Sequence, residues 1–571
     1  MRRRLSHALT VSAVALTLAA SGAAFVAAPA HAVAQSDDLS PTHANLSKYT
    51  SQHLTWSAAV CPQEVRTLGK AAARTECARV TAPMDYADPS KGNISLMVTR
   101  TAPEKSSGQS RFVFTNPGGP GAPDARFSVI VAALSPMGQT ETVIGVDPRG
   151  TGESTPVSCA QPKTAIKDNH HMTAAQLSAT QAAVKASVDQ CVAQHGNYLP
   201  YITTENTARD QDLVRQLLGA NTIDYYGVSA GTWLGAYYAT MFPTHVGRFV
   251  LDSNTDFTSN FQTSFSYQPM GFQRRFSDQF EPWAARHDST YHLGSTAAAV
   301  NTTYNQVRQA AVAGQLGFFS ANVVDNVLTQ QMYTDQGLVT SAKFLGFLDE
   351  ARRGDKLALY QAFSLLSGGS DSYTDNREAT TFMAITCNDT SWSKSPSYYV
   401  SQARSLGPKY PLLGYNQAVN QCAYWPYEAK NLRVNLSKAP KILMVDNTLD
   451  PATPYEGALA AHKLSPNTVL LTVNNQGFHG AVLGSKNTCV TNAVYGFLMN
   501  GKQLQHDSVC QGLPLPGDSK VYPVGTQVTG PAPNAGQPTS PTPPHQSDSL
   551  GETILKLLGK LVGDIFGGTH A

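Results

Sequence analysis

Short apolar runs punctuate the chain at Ile94 to Thr99, Phe112 to Thr115, Thr142 to Val146, Ile223 to Gly227, Phe249 to Asp252, Ile442 to Val445 and Val469 to Val473. Most are continuous rather than alternating in polarity, the pattern of strands covered by helices on both faces. Helical periodicity separates several of them: Asn206 to Leu218 precedes the run at Ile223, and Thr232 to Met241 follows it. Strands and helices in this alternation predict an α/β chain with a mostly parallel sheet.

From Asn254 to about Ala439 the strand rhythm stops and the pattern turns mainly helical. That stretch is too long for a structureless connection inside a compact domain. Residues 254–439 are therefore expected to form a large, mainly helical inserted cap between two parts of one core, 56–253 and 440–514. After Pro514 the composition changes, and Gly530 to Ser549 is dominated by Pro, Thr, Gly, Ser and Gln. Such a composition cannot bury enough apolar surface to fold, so 515–549 is expected to be a linker. The terminal segment 550–571 places Ile554, Leu557, Leu558, Leu561 and Ile565 on one helical side. It fits attachment to a cell or membrane surface and packing back onto the core equally well.

At the other end a basic cluster, Arg2 to Arg4, precedes an apolar run from Ala8 to Ala28 and the small-residue site Ala30-His31-Ala32. This order is that of a signal peptide over residues 1–32, and predicts a secreted protein. Residues 33–55 are polar at first and read either as a pro-segment or as an N-terminal arm. Eight cysteines fit an exported chain, and sequence proximity suggests the disulfides Cys61 with Cys77, Cys159 with Cys191, Cys387 with Cys422 and Cys489 with Cys510. Eight cysteines permit on the order of a hundred connectivities, so proximity is the only guide. There is no CxxC pair or clustered His of the kind zinc requires, and no metal or other cofactor is expected. Basic and acidic residues number 42 and 40, a formal charge of +2. With no basic block after the leader, the electrostatic footprint of a nucleic-acid-binding protein is missing.

The segment Ile223 to Gly231 runs from a strand through Gly227-Val228-Ser229-Ala230-Gly231 into a helix. Gly-x-Ser-x-Gly in that setting makes a strained turn that lifts the Ser229 hydroxyl above a sheet, the nucleophile elbow of the α/β-hydrolase fold. Asn116-Pro117-Gly118-Gly119-Pro120-Gly121 follows another strand end, and its glycines let the backbone come close to a substrate. The amides of Gly119 and Ala230 are the expected oxyanion donors, since Pro120 has no N–H to give. A serine hydroxyl needs a histidine to take its proton and a carboxylate to orient that histidine. In this fold both come later, in the order acid then histidine, in loops after late strands. Asp450 and His479 occupy those places. Asp446 competes with Asp450 for the acid, but it stands at the strand end rather than in the loop. Asp147-Pro148-Arg149-Gly150 also follows a strand, but precedes the nucleophile and reads as a structural turn.

Taken together, Asn116 to Gly121, Asp147 to Gly150, Tyr226 to Thr232, Ala384 to Asp389, Leu449 to Pro454, and Gly480 with Cys489 after His479 resemble the secreted tripeptidyl aminopeptidases. These are a branch of the prolyl-aminopeptidase-like α/β-hydrolase serine peptidases, and the resemblance runs from about Trp56 to Cys510. It implies a serine aminopeptidase releasing short peptides, such as tripeptides, from peptide or protein substrates with free N-termini through an acyl-enzyme. Ala122-Pro123-Asp124 and Ala230 depart from the residues common in that family. A positively charged N-terminus calls for carboxylates near the cleft, and Glu205 and Asp389 are the candidates. A carboxylesterase or lipase would use the same triad. A non-catalytic surface-binding protein is the third reading, which three intact triad positions disfavour.

Overall fold

The computed structural model describes residues 38–105, 111–164, 166–367 and 376–533. The signal peptide at 1–32 and the terminal segment 550–571 lie outside them. Among the described residues nine strands form one sheet: β1 (Thr75–Pro83), β2 (Asn93–Thr101), β3 (Phe112–Asn116), β4 (Thr142–Val146), β5 (Ile223–Val228), β6 (Val246–Asp252), β7 (Ile442–Asn447), β8 (Thr468–Asn474) and β9 (Ser508–Gln511). Their spatial order is β1-β2-β4-β3-β5-β6-β7-β8-β9. β2 runs antiparallel to both its neighbours, and every other pairing is parallel. All seven apolar runs in the sequence are strands. β1 went unseen because Glu76, Arg79 and Thr81 interrupt it, and β9 because it is only four residues long.

Successive residues of a strand face opposite sides of the sheet, and the central strands split their side chains accordingly. Phe114, Ile144, Tyr225, Leu251 and Met444 join Leu213 and Trp233 in one core. Val113, Val143, Tyr226, Val250 and Leu443 join Phe127, Val131 and Phe497 in another. Because both faces are buried, the sequence shows continuous apolar runs there rather than alternation. The chain winds outward from β3 to β4, then returns to place β5 on the other side of β3. Winding reverses between β3 and β5, and the crevice above their C-terminal ends is where such sheets hold ligands.

Between β6 and β7 every regular element among the described residues is helical. Phe272, Phe276, Phe280, Trp283, Val300, Val307, Leu328 and Leu345 form a core of their own. The later helix Asn376–Asp389 instead delivers Met383, Ala384 and Ile385 to the sheet's first core. Four disulfides, Cys61–Cys77, Cys159–Cys191, Cys387–Cys422 and Cys489–Cys510, follow the pairing by proximity. They fit an oxidising compartment. Among the described residues no helix is long and apolar enough to cross a membrane.

At the N-terminus, Leu39, Leu46 and Tyr49 are buried in the first core, and the Arg209 guanidinium donates to the carbonyls of Asp38 and Leu39. The linker expected over 515–549 needs correction in its described part. Residues 515–533 contain no helix or strand, yet Leu515 is buried in the cap core, and side-chain hydrogen bonds fix the backbone of Pro516, Val524 and Val528. Proline and glycine prevented regular structure there, but polar partners elsewhere in the chain supply what the segment cannot supply itself.

Candidate active site

β5 leads directly into Ser229, whose φ of 58° and ψ of −127° place a non-glycine residue in strained backbone at the start of the helix Ala230–Met241. Two neighbours hold it there: Ser229 N donates to the carbonyl of Asp252 at 3.0 Å, and Thr232 N donates back to Ser229 O at 2.9 Å. The turn requires glycine beside it. A side chain on Gly231 would meet the Asn116 carbonyl at 2.5 Å, and one on Gly118 would meet Val228 O at 2.5 Å and Ala230 N at 2.8 Å. The Gly-rich loop after β3 thus lies directly on the elbow. Gly118, the residue before the expected donor Gly119, meets Ala230 N at the start of the helix, where the first N–H groups have no acceptor within the helix.

His479 lies in the loop after β8, with its side chain buried. Its Nδ1 is 2.9 Å from Asp450 Oδ2 and 3.0 Å from Oδ1, and Thr453 Oγ1 is 3.4 Å away. Asp450 is fixed in turn, because its Oδ1 accepts from the amides of Ala452 at 2.9 Å and Thr453 at 3.0 Å. Nε2, the other ring nitrogen, is buried with no hydrogen-bond partner in the protein. The cap also reaches this residue: Tyr333 O accepts from His479 N at 2.8 Å, and the Tyr333 ring stands edge-on to the imidazole at 5.5 Å.

Asp446 is removed from the imidazole's service by Asn254, which donates to it from the backbone at 2.7 Å and from Nδ2 at 2.9 Å. Burial holds its carboxyl well above the usual carboxylate range, opposed by those hydrogen bonds. Asp252 and Ser253, at the end of β6, were missed in the sequence. Ser253 Oγ accepts from Gly480 N at 2.8 Å, while the Asp252 carboxylate accepts from Ala481 N at 2.7 Å, Val482 N at 3.1 Å and the Tyr226 hydroxyl at 2.7 Å. Since Asp252 O also receives Ser229 N, the end of β6 ties the serine turn to the histidine loop. Burial pushes the Asp252 carboxyl up to about 6. A polar Asp-Ser-Asn run at the C-terminal end of a buried strand was the available signal.

Arg149 and Asp147 have structural partners. Asp147 accepts from the amides of Asp124 and Ala125, and Arg149 forms a fully buried fork with Asp210 at 2.7 and 2.8 Å. The two carboxylates expected to meet a substrate amine are not in contact with the Asp450–His479 pair. Glu205 Oε1 accepts from Arg209 at 3.0 Å. Asp389, at the end of the helix Asn376–Asp389, accepts the Thr204 amide through Oδ1 at 2.9 Å, while its buried Oδ2 has no hydrogen-bond partner in the protein. Burial pushes the Asp389 carboxyl up to about 7, and the nearby Glu205 charge adds to the rise. The same helix lies against the Gly-rich loop, where Thr381 and Ile385 leave Gly121 no room for a side chain. Among the described residues no group of three or more His, Cys, Asp or Glu could hold a metal ion.

Two family models match this architecture, one described as "alpha/beta hydrolase fold" over residues 113–392 and one as "TAP-like protein" over residues 410–510. Carboxylesterase B of Mycobacterium tuberculosis is 28% identical, covering 74% of this chain and 84% of that protein. Serine protease Hip1 of the same organism is 25% identical, covering 74% and 85%. Tripeptidyl aminopeptidase of Streptomyces lividans is 32% identical over 456 residues, 76% of this chain and 83% of the relative. With the serine turn and the histidine loop tied to the same end of β6, and a relative 32% identical over most of both chains, the chain belongs to the tripeptidyl aminopeptidase family of α/β hydrolases.

Proposed function

We propose that this protein is a secreted serine aminopeptidase that releases tripeptides from free N-termini. The observation that carries the reading is the buried Asp450–His479 pair in a loop hydrogen-bonded to the β6 end that also holds the strained Ser229 turn. In this reading Ser229 Oγ attacks the scissile carbonyl as His479 Nε2 takes its proton. Asp450 keeps the Nδ1 proton in place and stabilises the imidazolium. The amides of Gly119 and Ala230 receive the oxyanion, His479 returns its proton to the leaving amine, and water then attacks the acyl-enzyme by the same route in reverse.

A tripeptide specificity requires something that counts residues from the amine. Asp389 Oδ2, buried and unpartnered, with Glu205 close enough to raise its pKa, suits an ammonium that brings its own proton and compensating charge. Residues 1–32 would direct export, consistent with four disulfides, and 550–571 would hold a fraction at the cell surface. Removing the terminal segment and finding the surface-bound fraction unchanged would refute the latter.

The test compares a chromogenic tripeptide bearing a free N-terminus with its N-acetylated form, using wild type and Ser229→Ala. Turnover of the free form alone, abolished by the substitution, is expected. Equal turnover of both forms would support instead an esterase-like or endo-acting enzyme, the first in line with the name, Carboxylesterase B, of the 28% identical relative.

A further inference from the structure

After β9 the chain makes an excursion that composition marks as linker and that returns to the sheet. Leu513 N donates to Gln476 Oε1 at 3.0 Å. The segment then crosses to the cap, where Trp283 Nε1 donates to Pro516 O at 2.8 Å and Arg286 pairs with Asp518 at 2.6 Å while stacking over Tyr522. It comes back to the loop after β8: Val524 N donates to Asn475 Oδ1 at 2.9 Å, Asn475 Nδ2 donates to Gln527 Oε1 at 2.6 Å, and Asn474 exchanges two hydrogen bonds with the backbone of Val528. Finally Pro531 O accepts from Val509 N and covers the outer edge of β9. Residues 512–531 are therefore a strap joining the cap to the loop that carries His479.

We propose that this strap is a positioning element for His479, acting through Asn475. The inference rests on the catalytic reading of Ser229, Asp450 and His479. Asn475 stands four residues before the histidine and is buried, and each of its polar groups is engaged by a different part of the site. Its N–H donates to Thr448 Oγ1 at 3.1 Å, in the loop that carries Asp450. Its carbonyl accepts from Gln279 Nε2 of the cap at 3.1 Å, and its side chain holds the strap as described. One residue thus sets the spacing of the histidine loop against the acid loop, the cap and the C-terminal strap. Its φ is 58°, a left-handed conformation that glycine adopts freely and asparagine tolerates best among side-chain-bearing residues. Glycine would satisfy the backbone there but could not grip the strap. Neighbouring contacts have the same sense: Gln476 Nε2 donates to Asp335 Oδ2 of the cap at 2.6 Å, and Asp335 pairs with the buried Arg275. A displacement of this loop moves the imidazole relative to Asp450 and Ser229, and misplacement of a reacting group by about 1 Å costs up to about a hundredfold in rate.

The test uses the full-length protein and four variants: Asn475→Gly, Asn475→Asp, Gln527→Ala and Ser229→Ala. Each is measured for kcat and KM on the free tripeptide substrate, for the rate at which a fluorophosphonate labels Ser229, and for Tm. Asn475→Gly keeps the backbone conformation and should lower kcat about tenfold with KM changed by less than about twofold, slowing labelling by the same factor. Asn475→Asp keeps the acceptor for Val524 N and should recover part of the loss. Gln527→Ala, at a partly exposed position, should cost about threefold in both rates. Wild-type kcat and labelling in Asn475→Gly and Gln527→Ala, or a loss confined to KM, would overturn the proposal. If Asn475→Gly fails to fold, Gln527→Ala decides alone. Residual turnover in Ser229→Ala would strike the catalytic reading itself, whatever the strap variants do.

Discussion

Replacing Asp450 by asparagine separates its orienting role from its size. The Oδ1 of Asp450 accepts two backbone amides, from Ala452 and Thr453, and Oδ2 faces His479 Nδ1. An asparagine in the same place must keep its carbonyl oxygen toward the two amides, because its NH2 group cannot accept from them. The NH2 group then faces Nδ1 and donates to it, which moves the imidazole proton to Nε2. In that tautomer Nε2 cannot take the proton of Ser229. The expected loss is about 10⁴ in kcat with little change in KM, or about 5 kcal/mol of transition-state stabilisation. The paired control is Asp446→Asn, which disturbs the bonds to Asn254 and should cost about 1–3 kcal/mol of stability. Its kcat per folded molecule should stay within about threefold of wild type. Steady-state kinetics on the free tripeptide, with folded fraction measured by denaturant titration, decide the matter. Loss of catalysis in Asp446→Asn together with an active Asp450→Asn would refute the assignment of the acid.

Three further substitutions probe other parts of the account. Gly118→Ala puts a methyl 2.5 Å from Val228 O and 2.8 Å from Ala230 N; displacing the oxyanion loop should lower kcat by about 10²–10³, and an unchanged kcat would remove that loop from the mechanism. Asp389→Asn should raise KM for the free-amine substrate and leave turnover of an uncharged ester alone. It also has a stability signature: burial holds this carboxyl up to about 7, so between about pH 4 and 7 the folded protein keeps a proton that the unfolded chain has released. Wild-type stability from this group is therefore present at low pH and lost as pH rises through about 7, by at most about 4 kcal/mol. The asparagine variant, without that loss, should gain in Tm relative to wild type between pH 5 and pH 8, and a pH-independent difference would contradict the burial argument. Arg149→Ala strands the Asp210 carboxylate inside the protein and should destabilise by about 3–5 kcal/mol in chemical denaturation, and a loss below about 1 kcal/mol would mean that the fork is not needed.

The elbow was legible in the sequence because its strain admits only small residues at Gly227 and Gly231, and because β5 before it is a continuous apolar run. Asp450 and Asp446 could not be separated with the same force. One lies near the end of β7 and the other follows it closely, and the distinction depends on Asn254, 192 residues from Asp446, occupying one of them. Asp252 was passed over because the partners that join it to the histidine loop are backbone amides of residues 481 and 482, which carry no side-chain signature. The strap was misread for a related reason. Its own composition argues against regular structure, and the groups that order it, Asn474, Asn475, Gln476 and Trp283, belong to other elements. Local patterns disclose what local physics fixes, namely strands, turns and the strained elbow at Ser229. They are silent on polar contacts between distant segments.

What leaves the N-terminus of a peptide identifies the activity. Full-length protein is mixed with a peptide of about twelve residues of defined sequence, and products are followed by mass spectrometry over time. Release of successive tripeptides in register from the free N-terminus, absent with Ser229→Ala and absent when the peptide is N-acetylated, is the predicted result. Single residues or dipeptides, internal cleavage of the acetylated peptide, or the same products from Ser229→Ala would contradict the account.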